Sequence, residues 1–278
     1  MTIRVNWSVV LLFTMVIFPA QALADLALYD DFEAEFIDVN KWTLVEVPGG
    51  TAGELVREIH GWPGHRRLHM VFRAYGNLNS NIGVVGGRNR LQFPSQNFAA
   101  INAIEARAAV KDFEAIGCAE NPDPTQARAR ISGFFFTLPN PRLSGNPPTP
   151  VLADIRIERR SDSTDPPRVL QVLSVLFHCD DPSCVLGQIF ESFPLGTIRQ
   201  WESAELFIQW DQATQTWTAR RDDLVVERVL PDAGPFAGAK RLEISPNVAN
   251  CPSPPRGVSH MDVIFDNVRI TAPPAPSP

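Results

Sequence analysis

The chain has 278 residues, a formal net charge of −6, 44% hydrophobic residues and 20% charged residues. The hydrophobic share supports a buried core and excludes a disordered chain, and the negative charge argues against nucleic acid or an anionic membrane surface as partner. The 25 Pro and 17 Gly argue against a helical bundle, because Pro removes a backbone donor and clashes with the preceding helical turn.

Residues 1–24 read as a signal peptide. Arg4 precedes an apolar run, Val9–Phe18, followed by Pro19 and the small-x-small site Ala22-Leu23-Ala24. The run is about half of the ~20 residues that a spanning helix needs. No later stretch reaches that length, so the expectation is a secreted or periplasmic product with no membrane span after cleavage.

From residue 25 onward, apolar residues recur at period two, the signature of half-buried strands. A short helical turn is expected near Asp38–Trp42. Strands are then predicted at Leu68–Tyr75, Ile104–Val110, 128–138, 151–159, 168–177, Ala204–Trp210, 216–220, 224–229, 240–244 and Met261–Ile270. Turn-forming residues separate them at Gly86-Gly87, Pro139–Pro150, Asp165-Pro166-Pro167, Asp222-Asp223, Pro231–Gly234 and Pro252–Pro255. Phe134-Phe135-Phe136 breaks the alternation, which predicts a segment apolar on both faces and buried between layers. Many short strands with regular turns indicate an all-β sandwich or barrel. No repeat or linker divides the chain, so the reading is one domain over 25–271 and a Pro-rich tail over 272–278.

Four cysteines follow the signal, an even number in a chain of an oxidising compartment. Cys179 and Cys184 bracket a turn sequence, Asp180-Asp181-Pro182-Ser183, and are expected to pair. Elimination then pairs Cys118 with Cys251. A zinc site is the alternative, but there is no C-x-x-C pair, and only His178 adjoins a Cys. His60, His65 and His69 surround Gly61-Trp62-Pro63-Gly64 and read as loop residues rather than ligands.

The opening Tyr29-Asp30-Asp31-Phe32 with Ile37-Asp38-Val39-Asn40-Lys41-Trp42, the hairpin Ile208–Asp211 to Thr216–Thr218, and the ending Phe265-Asp266-Asn267-Val268-Arg269-Ile270 occur in an order that resembles the concanavalin A-like lectin/glucanase superfamily, in particular its laminin-G-like and laminarinase-like members. The resemblance implies a two-sheet antiparallel β-sandwich, a jelly roll. Glucanases of that superfamily carry an E-x-D-x-E strand after an aromatic strand and a Pro-containing loop. Here the corresponding segment is Asp154-Ile155-Arg156-Ile157-Glu158. Asp154 stands at the nucleophile position, Arg156 replaces the central Asp, and Glu158 keeps the acid/base position. An Arg between the carboxyls depresses both pKa values, whereas the acid of a retaining glycosidase needs its value raised. The plain reading is a solvated strand face with Asp154–Arg156 and Arg156–Glu158 pairs. The resemblance also implies a structural Ca²⁺ at Asp266, with carbonyls near Asp31–Glu33 and Asp30 or Asp31 as an extra carboxylate. An alginate-lyase-like R-E dipeptide occurs at Arg57-Glu58, without the other motifs of such enzymes.

Trp62, Trp201 and Trp217 fall in or near loops and hairpins, where indoles either cap the core or stack on sugar rings. With Asp154, Arg156 and Glu158 they form the candidate ligand-binding set. The main expectation is a non-catalytic module that binds or adheres to extracellular or cell-surface polysaccharide. The alternatives are a glycan-cleaving enzyme with an altered acid pair, Asp154 and Glu158, and an envelope structural protein with no small ligand.

Overall fold

The computed structural model describes residues 25–271 apart from 48–50, 80, 82, 182, 183 and 185. The expected signal at 1–24 and tail at 272–278 lie outside the described residues. In chain order the strands are β1 (Leu26–Asp30), β2 (Thr43–Val47), β3 (Thr51–His60), β4 (Arg67–Tyr75), β5 (Val84–Gly86), β6 (Arg88–Gln92), β7 (Ala103–Ile116), β8 (Gln126–Pro139), β9 (Pro148–Arg160), β10 (Val169–Cys179), β11 (Gly187–Arg199), β12 (Ser203–Asp211), β13 (Thr216–Arg221), β14 (Leu224–Val229), β15 (Gly234–Pro235), β16 (Lys240–Ile244), β17 (Asn247–Ala249) and β18 (Val258–Thr271).

The strands form two antiparallel sheets. The first runs β14-β13-β12-β7-β18-β4-β3, with β1 pairing β18; the second runs β11-β10-β9-β8-β16-β6-β2, with β5, β15 and β17 attached beside it. Inward residues of both sheets make one core: Phe72, Ala106, Val110 and Phe265 from the first, Ile131, Ile155, Ile157 and Leu242 from the second. The architecture is a two-sheet antiparallel sandwich of the jelly-roll kind, as expected.

The N-terminal motif has a local physical role. The carboxylate of Asp30 accepts hydrogen bonds from Phe32 N at 2.9 Å and from Trp42 Nε1 at 2.7 Å. The N–H groups of Lys41 and Trp42 turn back onto Asp38 O at 3.0 and 2.9 Å, forming the expected turn. Trp42 is thereby fixed among Tyr29, Phe32 and Phe93, a buried aromatic cluster.

Three features differ from the sequence reading. The triple Phe is buried between the layers only at Phe135 and Phe136. The register of β8 against β9 shifts between Phe134 and Phe136, a bulge that turns both Phe135 and Phe136 into the core. Phe134 remains half-buried under the guanidinium of Arg241, 5.2 Å from its ring centre. The Pro loop is shorter than drawn, because Thr137 pairs with Pro150 and Pro139 with Pro148. Finally, β2, β3, β6 and β11 were not foreseen. Gly53 interrupts β3, Pro194 and Gly196 interrupt β11, and β2 and β6 are only five residues long; Pro194 is tolerated in β11 because that strand is a sheet edge, where a missing N–H costs no ladder bond.

The two expected disulfides are both present, Cys118–Cys251 with Cα atoms 5.7 Å apart and Cys179–Cys184 with Cα atoms 4.7 Å apart. All four thiols are therefore consumed, which removes the zinc alternative.

Candidate functional site: a charged row on the outer face of the second sheet

Ala153, Ile155 and Ile157 belong to the core, so alternation along β9 turns Asp154, Arg156 and Glu158 to the outer face of the second sheet. The anticipated pairs form. Arg156 Nε donates to Asp154 Oδ1 at 2.8 Å, its Nη2 to Asp154 Oδ2 at 2.6 Å, and its Nη1 lies 3.6 Å from Glu158 Oε2. The face is not solvated, however. Asp154, Arg156 and Glu158 are 0%, 3% and 4% exposed. Their neighbours on adjacent strands explain this. Arg130 on β8 stands opposite Arg156, Arg128 opposite Glu158, and Glu243 on β16 opposite both Arg130 and Arg90. At an interstrand spacing of ~4.8 Å, long guanidinium side chains lie over the shorter carboxylates and over one another.

The resulting network is continuous. Arg130 Nη1 donates to Asp154 Oδ2 at 2.8 Å and also pairs closely with Glu243. Arg90 Nε reaches Glu243 Oε2 at 2.6 Å, and Arg241 Nε lies 3.1 Å from the same oxygen. Burial alone would raise the Glu243 carboxyl, but Arg130, Arg241, Arg90 and Arg88 hold it well below the usual range. Burial opposes the charge of Arg156 as well, and Asp154 and then Glu158 outweigh it, so that its pKa rises. The other guanidiniums are less well matched. Burial pushes Arg241 down to about 9 and Arg88 to about 10, with neighbouring arginines adding to the effect and Glu243 opposing it.

At the β9–β10 end of the row, Glu158 opens onto a cavity of about 280 Å³ that Arg160, Asp162, Ser163, Thr164 and Gln171 also line. The Arg160 guanidinium is held by Asp162, with Nε and Nη2 contacts of 2.9 and 2.8 Å. Gln171 Nε2 donates to Asp165 at 2.9 Å. Sequence reasoning missed these lining residues. The polar run Ser161-Asp162-Ser163-Thr164-Asp165 was the available signal, and it reads as an ordinary turn unless the strand before it is known to carry a charged outer row.

The structure does not gather the three indoles beside that row. Trp217 has no exposed surface, and its Nε1 donates to Ser174 Oγ at 3.1 Å inside the core. It therefore presents no face to a ligand. Trp62 and Trp201 are 68% and 62% exposed on turns of the first sheet or at its end. Trp62 packs against His65, and Trp201 lies beneath Lys111 Nζ at 5.8 Å.

The histidines are not all loop residues. His60 and His69 lie in β3 and β4. His69 sits between two carboxylates, with Nδ1 3.1 Å from Glu58 Oε1 and Nε2 2.9 Å from Asp262 Oδ1. The bond to Asp262 is the main reason its pKa rises, against burial.

The expected calcium donors are otherwise engaged. Asp266 Oδ2 lies 3.3 Å from Arg67 Nε, its Oδ1 accepts from Asn267 N at 2.8 Å, and burial raises its pKa. Asp30 is committed to Phe32 and Trp42, and Asp31 accepts from Glu33 N at 3.2 Å. A guanidinium 3.3 Å from the main carboxylate opposes a dication at that oxygen. Among the described residues, no group of three His, Cys, Asp or Glu side chains is arranged to hold a metal ion.

No protein-family model matches the chain, and no curated protein matches it. Among solved structures, a GlcNAcα1-4Gal-releasing endo-β-galactosidase from Clostridium perfringens is similar at 11% identity and a TM-score of 0.48. That similarity covers 93% of this chain and 65% of the other, so the chain spans less than two thirds of that protein's length. An alginate lyase from Pseudomonas aeruginosa is similar at 13% identity and a TM-score of 0.43, over 84% of this chain and 99% of that one. A glycoside hydrolase family 16 endo-glucanase from Bacteroides ovatus is similar at 12% identity and a TM-score of 0.43, over 87% and 98%. At such identities and TM-scores the likeness carries no argument about this chain's chemistry, and the sheet topology by itself shows a two-sheet antiparallel β-sandwich.

Proposed function

We propose that this protein is a secreted, non-catalytic module that binds or adheres to extracellular or cell-surface polysaccharide. The observation that carries the reading is the state of Glu158. It opens onto a polar cavity of about 280 Å³, yet Arg156 ties it to Asp154. A carboxylate beside a guanidinium can still accept hydrogen bonds from sugar hydroxyls that enter this cavity. Asp154 is chelated by Arg156 and Arg130, which leaves it poorly suited to act as a nucleophile. Exposed Trp62 and Trp201 supply apolar faces of the kind that sugar rings stack on. Two disulfides agree with an oxidising compartment.

The test is a glycan array with the purified mature domain, followed by solution binding to the best polysaccharide. Gln171→Ala and Glu158→Gln should each weaken that binding by about tenfold, the loss of one buried hydrogen bond to ligand. Release of reducing ends from a β-glucan by the wild type, abolished in Glu158→Gln, would instead establish the glycan-cleaving enzyme. Absence of binding to every glycan would favour the structural envelope protein.

A further inference from the structure

The outer face of the second sheet holds more positive charge than it can neutralise. Arg88, Arg90, Arg128, Arg130, Arg156 and Arg241 meet only Asp154, Glu158 and Glu243 there. Those three carboxylates pair with Arg90, Arg130, Arg156 and Arg241. Among the described residues, Arg88 and Arg128 have no carboxylate within ion-pair distance. An unpaired buried charge is among the costlier features a fold can carry, and a guanidinium does not escape the cost by losing its proton at ordinary pH.

The two arginines flank one residue in the strand register. Ser245 follows β16, and its N–H donates to Arg128 O at 3.0 Å while its own carbonyl accepts from Arg128 Nε at 2.9 Å. On its other side, the pairing of Ile244 with Asn89 places Arg88 beside it. Alternation along β16 puts Ser245 on the same outer face as Arg241 and Glu243. Ser245 is fully buried, and its Oγ has no hydrogen-bond partner. Arg128 is 7% exposed and Arg88 half-buried, so Arg88 forms the approach.

We infer that Arg88, Arg128 and Ser245 form an oxyanion-binding site, in which the forked N–H donors and the serine hydroxyl take a sulfate, phosphate or carboxylate group. An oxyanion supplies the missing countercharge and accepts from the orphaned hydroxyl in a single event. Guanidinium forks match such groups in shape as well as charge. The group can arrive as a free ion or as the acidic substituent of a polysaccharide. The site adjoins Glu158, which stands opposite Arg128, but it does not depend on the glycan reading.

The experiment is thermal unfolding of the mature domain in low-millimolar sodium sulfate against sodium chloride of equal ionic strength. Sulfate should raise Tm by about 3 °C or more at saturation. Arg128→Gln and Ser245→Ala should remove most of that rise. Arg88→Gln, at the half-buried approach, gives the same reading should Arg128→Gln fail to fold. Binding of dextran sulfate or polygalacturonate but not dextran, lost in Arg88→Gln, assigns the group to a polymer; a sulfate response without polymer binding assigns it to a free ion. The inference is overturned if sulfate gives no rise over chloride and neither acidic polymer binds, or if the variants keep the full response.

Discussion

His69 shows what a single residue contributes when its neighbours come from three strands. Glu58, Asp262 and Lys111 all face it, and His60 lies 5.7 Å away, ring centre to ring centre. Its two ring nitrogens point at two carboxylates, an arrangement that suits the imidazolium, which donates from both. A raised folded pKa means that its stabilisation is complete below the unfolded value of about 6.5 and is lost as pH rises through the folded value. Hydrogen bonds between charged groups contribute ~1.5–3 kcal/mol, and the exposure of Glu58 reduces that to about 1 kcal/mol here. Urea unfolding of wild type and His69→Gln should show that gap at pH 5.5 and a clearly smaller one at pH 8.5; an equal gap at both would refute the ion pairing. Nothing in the spacing of His60, His65 and His69 indicated this, because Asp262 is 193 positions away from His69. Trp217, expected in the ligand-binding set, lies in the core instead. It shares a parity with buried Ala219 and pairs with Trp210, and that alternation points inward.

Strand positions followed from period two wherever the strand had one apolar face, as in β4, β12 and β18. Of the strands that escaped notice, β2, β3 and β11 lie at sheet edges, and β6 is only five residues long. β9 shows the limit more sharply. Its parity was readable, so Asp154, Arg156 and Glu158 were correctly placed together, but parity does not say what covers a face. The cover comes from arginines on β6, β8 and β16, brought alongside by a topology that the local pattern does not encode. The disulfides also act between elements. Cys118 and Cys251 are 133 positions apart and Cys179 and Cys184 are five apart. Loop entropy therefore predicts a loss of about 5 kcal/mol for Cys118→Ala/Cys251→Ala and only about 2 kcal/mol for Cys179→Ala/Cys184→Ala. Denaturant unfolding of the two double variants should preserve that order, and the reverse order would mean that native-state contacts rather than chain entropy dominate.

The first and last described strands are joined, since β1 pairs with β18, and Arg67 at the β3–β4 hairpin reaches Asp266. Because that guanidinium already neutralises Asp266, we expect the Tm of the mature domain to be the same in millimolar Ca²⁺ and in EDTA. A calcium-dependent rise that disappears in Asp266→Ala would place an ion there after all. The global charge shows a similar contrast. A net charge of −6 argues against anionic partners only as an average, and the second sheet gathers Arg88, Arg90, Arg128, Arg130, Arg156 and Arg241 onto one outer face. By itself, the sequence determined the all-β class, the turn positions, the disulfide pairing and the parity of the charged row. These depend on side-chain period, turn chemistry and cysteine count, all of which are local or simple sums. Only the tertiary structure decided that the row is buried, that Trp217 belongs to the core, that His69 lies between two acids, and that Arg88 and Arg128 lack carboxylate partners. Each of those depends on which strands become neighbours across tens to hundreds of residues, and burial and electrostatics act between spatial neighbours however far apart they lie along the chain.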